Sequence, residues 1–243
     1  MPPTPIECHE RRTMNDAAVP ELSIVIPTLN AAGQLSSCIT ATTQWPTTPQ
    51  LIVVDGGSND DTVRLARDAG ATVLASDPGR GQQLAQGGTA ATGQWLMFLH
   101  ADTELQDGWV SEVRAFIDEE PNKHRAAAFR FKLDDDAPQA RRVERMVAWR
   151  CRALGLPYGD QGLLIHRDFY EQLGGYRSLP LMEDVDLVRR VGKQRVHIFE
   201  AAAVTSADRF RRNGWWARPL RNLFCLLLYI CGVPPRWIVK LYG

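Results

Sequence analysis

Four short runs of β-branched and apolar residues, separated by segments of helical length, recur between Leu22 and Asp102. Leu22–Pro27 stops at a proline, Leu51–Asp55 runs into Gly56-Gly57, Thr72–Ala75 is the third run and Trp95–His100 the fourth. Ala32–Thr43, a stretch starting near Asn59, and Gly79–Thr92 supply the helices. Ser58 is placed to cap the second of these, and Asp60-Asp61 suit its positive end. Strands alternating with helices in this way predict right-handed βαβ units. The fold class expected is therefore α/β, a Rossmann-like, mostly parallel sheet flanked by helices. Ligands of such sheets bind beyond the carboxyl ends of the strands. Three of those ends are polar here: Thr28-Leu29-Asn30, Asp55-Gly56-Gly57-Ser58 and His100-Ala101-Asp102.

The second half is less regular. Ala126–Leu133 reads as a strand, Asp134–Pro138 as a break, and Gln139–Leu154 as a basic helix. Gly159–His166 reads as a loop feeding a strand, Met182–Val191 as a short helix, and Val196–Phe199 and Ala202–Thr205 as two strands. Trp215–Cys231 and Pro235–Tyr242 are expected as C-terminal helices, separated by Gly232 and a proline pair. The organisation expected is a flexible tail over residues 1–20, one catalytic domain over 21–212, and amphipathic or apolar helices over 213–243.

Composition narrows the function. The 28 basic and 28 acidic residues cancel, so nothing calls for nucleic acid as a partner. Five scattered cysteines without a C-x-x-C pair argue against a zinc site or a disulfide framework and fit a reducing cytosol. The first twenty residues lack the apolar core of a secretory signal. The longest apolar run, Leu223–Val233, is about half of what a spanning helix needs. A cytoplasmic chain is the expectation, with peripheral contact at the inner face of a membrane as the variant suggested by Trp215, Trp216, Arg218 and Arg221 beside that run. Packing of the same helix on the catalytic domain or on a partner chain is the alternative.

Several residues carry candidate chemistry. Asp102, just past an apolar strand, can hold a hard divalent ion, Mg²⁺ or Mn²⁺, which joins carboxylates to substrate phosphates; as a plain helix cap it would serve a helix near Gln106. Asp55 can accept from a nucleobase or a ribose hydroxyl, or else be an ordinary turn residue before two glycines. Gly79-Arg80-Gly81-Gln82-Gln83, with Gly87-Gly88 beyond, can bring backbone and a cation to a phosphate, or be simple loop chemistry. Glu183 or Asp184 can take a proton from a hydroxyl; the alternative is a solvated acidic turn facing Arg189 and Arg190. Arg209 in a basic run can meet a diphosphate or be solvated surface.

In order and spacing, these pieces resemble the family 2 glycosyltransferases of the GT-A fold, over roughly residues 22–212. Ser23–Asn30 looks like the family's opening strand and nucleotide-contacting turn. Val53–Thr62 looks like its second strand, with Gly56 where a second aspartate is common. His100-Ala101-Asp102 falls on the D-x-D metal motif with His in the first place. Gly159-Asp160-Gln161-Gly162 resembles the acceptor-side loop, and Glu183-Asp184 the E-D pair. Ser206-Ala207-Asp208-Arg209-Phe210 stands where processive members have Q-x-x-R-W, and retains only the arginine.

The resemblance implies an inverting, hexosyl-transferring and non-processive enzyme of a small bacterial subgroup, working on a nucleotide-diphosphate-sugar donor. Pro27, Thr28, Asn30, Asp55, Gly57, Arg80, Gln83, His100, Ala101 and Arg209 are then the donor side, and Asp102 the metal-contacting carboxylate. Gly159, Asp160 and Gln161 are the acceptor side, and Asp184, with Glu183, the catalytic pair. The acceptor is unidentified, with a lipid-linked one in view, and the oligomeric state is unassigned. A nucleotidyltransferase and a non-catalytic nucleotide-sugar binder are the rival readings.

Overall fold

The computed structural model describes residues 22–242; the tail expected over residues 1–20 lies outside the described residues, as do the side chains of Arg209, Asn213, Arg218 and Tyr242. Strand β1 (Leu22–Thr28) is buried at every position, which is why it reads as a continuous apolar run rather than an alternating one. It pairs in parallel with β2 (Gln50–Asp55) and with β4 (Trp95–Phe98), and β2 pairs in parallel with β3 (Thr72–Ala75). The connecting helices are α1 (Ala32–Thr42), α2 (Thr62–Asp68) and α3 (Arg80–Ala90).

Beyond β4 the direction changes. The eight-stranded order is β3-β2-β1-β4-β7-β6-β8-β5. Here β5 is Thr103–Leu105, β6 Ala126–Leu133, β7 Leu163–His166 and β8 Val196–Thr205. Strand β7 runs antiparallel to both β4 and β6, β8 runs parallel to β6, and β5 runs antiparallel to β8. Alternate residues of the parallel strands feed two cores. Ile24, Ile26, Val53 and Met97 face α1 and α4 (Trp109–Ile117). Val25, Ile52, Val54 and Phe98 face α3, α6 (Arg167–Gln172) and α7 (Glu183–Val191). A third cluster seats α5 (Pro138–Leu154) on β6. After α8 (Asp208–Asn213), helices α9 (Ala217–Ile230) and α10 (Pro235–Tyr242) drive Cys225, Leu226 and Ile238 into the second core.

Several local expectations are corrected. Val196–Phe199 and Ala202–Thr205 are one strand, with a register shift opposite Ala128/Arg130 absorbing the break at Glu200. Ser58 caps no helix, because α2 starts at Thr62. Asp102 caps none either: β5 follows it, and α4 starts at Trp109 behind Gly108. Side chains at Gly87 and Gly88 would strike Val25 and Tyr170, so these glycines seat α3 against β1 and α6.

Candidate active site

The residues expected to meet a donor gather where β1, β2 and β4 end. An open cleft is lined by Pro27–Ala31, Gly79, Arg80, Gln83, His100, Ala101, Asp102, Ser206, Asp208 and Arg212. The Thr28–Asn30 turn is fixed from behind. Asn30 adopts φ +51°, donates its backbone N–H to Ser58 Oγ at 2.8 Å, and accepts on Oδ1 from the Asn59 N–H at 2.9 Å. Gln83, buried at the start of α3, donates through Nε2 to the carbonyls of Thr28 and Val54, both at 2.8 Å. It thus ties the ends of β1 and β2 together beneath the cleft.

Asp55 is turned inward. Its carboxylate accepts from the Thr28 hydroxyl at 3.1 Å, from the N–H groups of Gly57 and Ser58 at 3.0 and 2.8 Å, and from the Ser58 hydroxyl. It is buried and does not face the cleft. Gly57, at φ +90°, completes that turn. The two residues hold the turn behind the cleft.

A second, smaller cavity opens beside the first. Arg80, His100, Asp102 and Ser206 line both. Its other walls are Phe131, Tyr158, Gly159, Asp160, Leu181, Met182, Asp184, Val185, Thr205, Phe210 and Asn222. The Gly159–Gln161 stretch is a single 3₁₀ turn. Gln161 lies beneath it, accepting from Arg150 at 2.9 Å and donating to the Phe129 carbonyl at 2.9 Å; it anchors the turn rather than facing the cavity. The Arg150 guanidinium stacks 3.4 Å over the Tyr158 ring.

The acidic pair is not a solvated turn: Glu183 and Asp184 are both buried. Met182, in the left-handed region at φ +67°, aims the first turn of α7 into the cavity. Glu183 does not line it; it forms an ion pair with Nε of Arg80. Asp184 does, and accepts from the Gly159 N–H at 3.0 Å and the Tyr176 hydroxyl at 3.2 Å. Burial and the neighbouring Glu183 charge push its pKa up to about 7, against the pull of Arg80 and the Gly159 hydrogen bond. A carboxylate poised near neutral pH inside a cavity is suited to accept a proton.

Asp102 and His100 stand in the shared wall. Among the described residues no group of three or more His, Cys, Asp or Glu side chains is gathered to hold a metal. One carboxylate, Asp102, fits a hard ion that draws its other ligands from a diphosphate, the usual arrangement for Mg²⁺, whereas the His100 imidazole is not a usual Mg²⁺ ligand. The Arg209 side chain lies outside the described residues; Asp208 and Arg212 line the first cleft. Reading the sequence missed Tyr158, Phe131, Leu181, Met182, Asn222 and Tyr176. Only the tyrosine beside Gly159 carried a local signal, its place next to a polar, glycine-flanked turn.

Comparison with known proteins agrees with this geometry. The family model described as Glycosyl transferase family 2 matches residues 23–174. The PGL/p-HBAD biosynthesis glycosyltransferase of Mycobacterium bovis (strain BCG / Pasteur 1173P2) is 36% identical over 111 residues, 42% of this chain and 43% of that protein. The match thus spans less than half of that relative's length. The succinoglycan biosynthesis protein ExoU of Rhizobium meliloti is 28% identical over 203 residues, 73% of this chain and 58% of that one. Among solved structures, S. aureus TarS 1-349 superposes with a TM-score of 0.59 at 14% identity, covering 91% of this chain and 69% of that one. Glucosyl-3-phosphoglycerate synthase from Mycobacterium tuberculosis, in complex with Mn²⁺, uridine diphosphate and glucosyl-3-phosphoglycerate, superposes at 0.57 with 20% identity, covering 88% and 81%. At such identities the structural likeness shows the fold, which is that of the GT-A glycosyltransferases.

Proposed function

Because the chain belongs to the family 2 glycosyltransferases, we propose that it transfers a sugar, with inversion, from a nucleotide-diphosphate donor in the first cleft to an acceptor hydroxyl in the second cavity. The observation that carries this reading is the shared wall: Arg80, His100, Asp102 and Ser206 border both spaces, and Asp184 faces the second. A donor lying along the Pro27–Asn30 turn would direct its diphosphate at that wall. An acceptor above Gly159 would put its hydroxyl at Asp184.

In this mechanism Asp184 removes the hydroxyl proton as the oxygen attacks the anomeric carbon. The new carbon–oxygen bond forms on the face opposite the breaking bond to phosphate, and the electron pair leaves with the diphosphate. Arg80, held by Glu183, presents positive charge there. Asp102, with His100 beside it, would hold Mg²⁺ or Mn²⁺. When bound, such an ion neutralises charge developing on the leaving diphosphate. The retained arginine without the rest of Q-x-x-R-W supports a non-processive enzyme.

The test is Asp184→Asn. Turnover of the transferred donor should fall by about three orders of magnitude with nucleoside diphosphate binding retained. Wild-type turnover in this variant would remove the base, and an inert wild-type protein that still binds donor would restore the non-catalytic reading. The nucleotidyltransferase alternative is set aside by the family match.

A further inference from the structure

Helix α9 turns an apolar stripe outward. Cys225 and Leu226 face the core, while Leu220, Leu223, Phe224, Leu227 and Ile230, spaced by three and four, share the opposite face. Their exposure runs from 47% at Leu223 to 62% at Leu220, the reverse of what a surface helix gains by folding. Trp216, before the helix, and Trp237 and Leu241 on α10 are as exposed, and Lys240 lies 5.1 Å over the Trp237 ring.

The charge of this region is equally one-sided. From Arg209 to Gly243 the chain has seven Arg and Lys residues and no Asp or Glu, although the whole protein is neutral. A second copy laid on the same face would bring two such basic segments together, which like-charge repulsion opposes. No described helix is long and apolar enough to cross a membrane. An apolar face flanked by tryptophan, in a segment whose charges are all basic, matches a helix lying in a lipid interface.

We infer that the α9–α10 face beds into the headgroup region of a membrane containing anionic phospholipid. Asn222 of the same helix lines the second cavity. That cavity therefore sits within about one helix diameter, on the order of 10 Å, of the bedded face. The acceptor this implies is a hydroxyl compound anchored in the membrane by a lipid. That last step rests on the transferase reading above; the docking rests on the surface alone.

Flotation of the full chain with vesicles tests it. Wild-type protein should float with mixed phosphatidylglycerol–phosphatidylcholine vesicles and about tenfold less with phosphatidylcholine alone or at high salt. The Leu223→Glu/Leu227→Glu double variant should fall to background while keeping its thermal stabilisation by nucleoside diphosphates. Wild-type protein that ignores both vesicles, or a double variant that floats like wild type, overturns the inference. So does a lipid-free dimer that the double variant abolishes, which would give the face to a second copy. Loss of nucleoside diphosphate binding in the wild type would instead strike the transferase reading and leave the flotation result standing.

Discussion

Gly159 donates its backbone N–H to Asp184 at 3.0 Å, and a β-carbon on Gly159 would stand 2.5 Å from both Asp184 Oδ2 and His100 Nε2. The glycine is there for space, because both side chains close over its Cα. Gly159→Ala is expected to fold, yet push the carboxylate aside and lower kcat about a hundredfold, the scale of a 1 Å misplacement. Steady-state kinetics beside a nucleotide-binding titration would show it, and an unchanged kcat would refute the crowding.

The pH profile follows from Asp184. With its pKa at about 7 in the folded protein, it is protonated and inactive as a base below that value, so kcat/KM should fall as pH drops through 7. The stability sign is opposite. A carboxyl whose folded pKa is raised binds protons more tightly when folded, so its contribution is lost as pH rises from the unfolded value toward 7. Asp184→Asn should therefore raise Tm relative to wild type more at pH 8 than at pH 5, while abolishing turnover.

Arg80 and Glu183 pull on that base in opposite directions: Arg80 lowers the Asp184 pKa and Glu183 raises it. Arg80→Met should move the acidic limb of the rate profile to higher pH, and Glu183→Gln should move it to lower pH. Arg80→Met also strands buried Glu183, and denaturant unfolding should show a loss of about 2 kcal/mol. Limbs that stay put in both variants would mean that another group sets the profile.

Gln83→Leu removes a donor that satisfies two carbonyls at the ends of β1 and β2. Stability should fall by about 1 kcal/mol, since two buried hydrogen bonds are lost while the Thr28 carbonyl keeps the Gly56 N–H and the Val54 carbonyl keeps the Thr28 hydroxyl. Donor affinity should fall with it, as the Thr28–Asn30 turn loses its support. A variant as stable as wild type would show that water replaces the amide.

Stabilisation by a nucleoside diphosphate should depend on Mg²⁺ or Mn²⁺ and vanish with a chelator. At a hundred times its Kd a ligand adds about 2.7 kcal/mol of apparent stability. In Asp102→Ala the metal-dependent part of the thermal shift should disappear. A full shift in that variant would take the metal away from Asp102.

The parallel half of the sheet was legible because each buried strand there is a short, largely apolar run followed by a polar turn. The rest was legible only in part. Strand β5 is three residues long and exists because Thr103–Leu105 meets Ala203–Thr205, a pairing between distant segments that no local pattern announces. That is why a helix looked plausible just after Asp102. The order of polar strand ends brought the candidate residues to one place, but side-chain direction was hidden. Asp55 looks inward, Gln161 anchors from below, and Glu183 is occupied with Arg80. Tyr176 and Asn222 carry no signature of their own and reach the site only through tertiary folding.

The pairing of Thr103 with Thr205 has one more consequence. Asp102 and Ser206, on the wall between the two spaces, are each one residue from that rung, so the wall is stitched across its width by the sheet itself. Such a partition does not hinge. In the proposed transfer, donor and acceptor meet across a gap of set breadth, and acceptors are sorted as by a caliper, by what the opening admits.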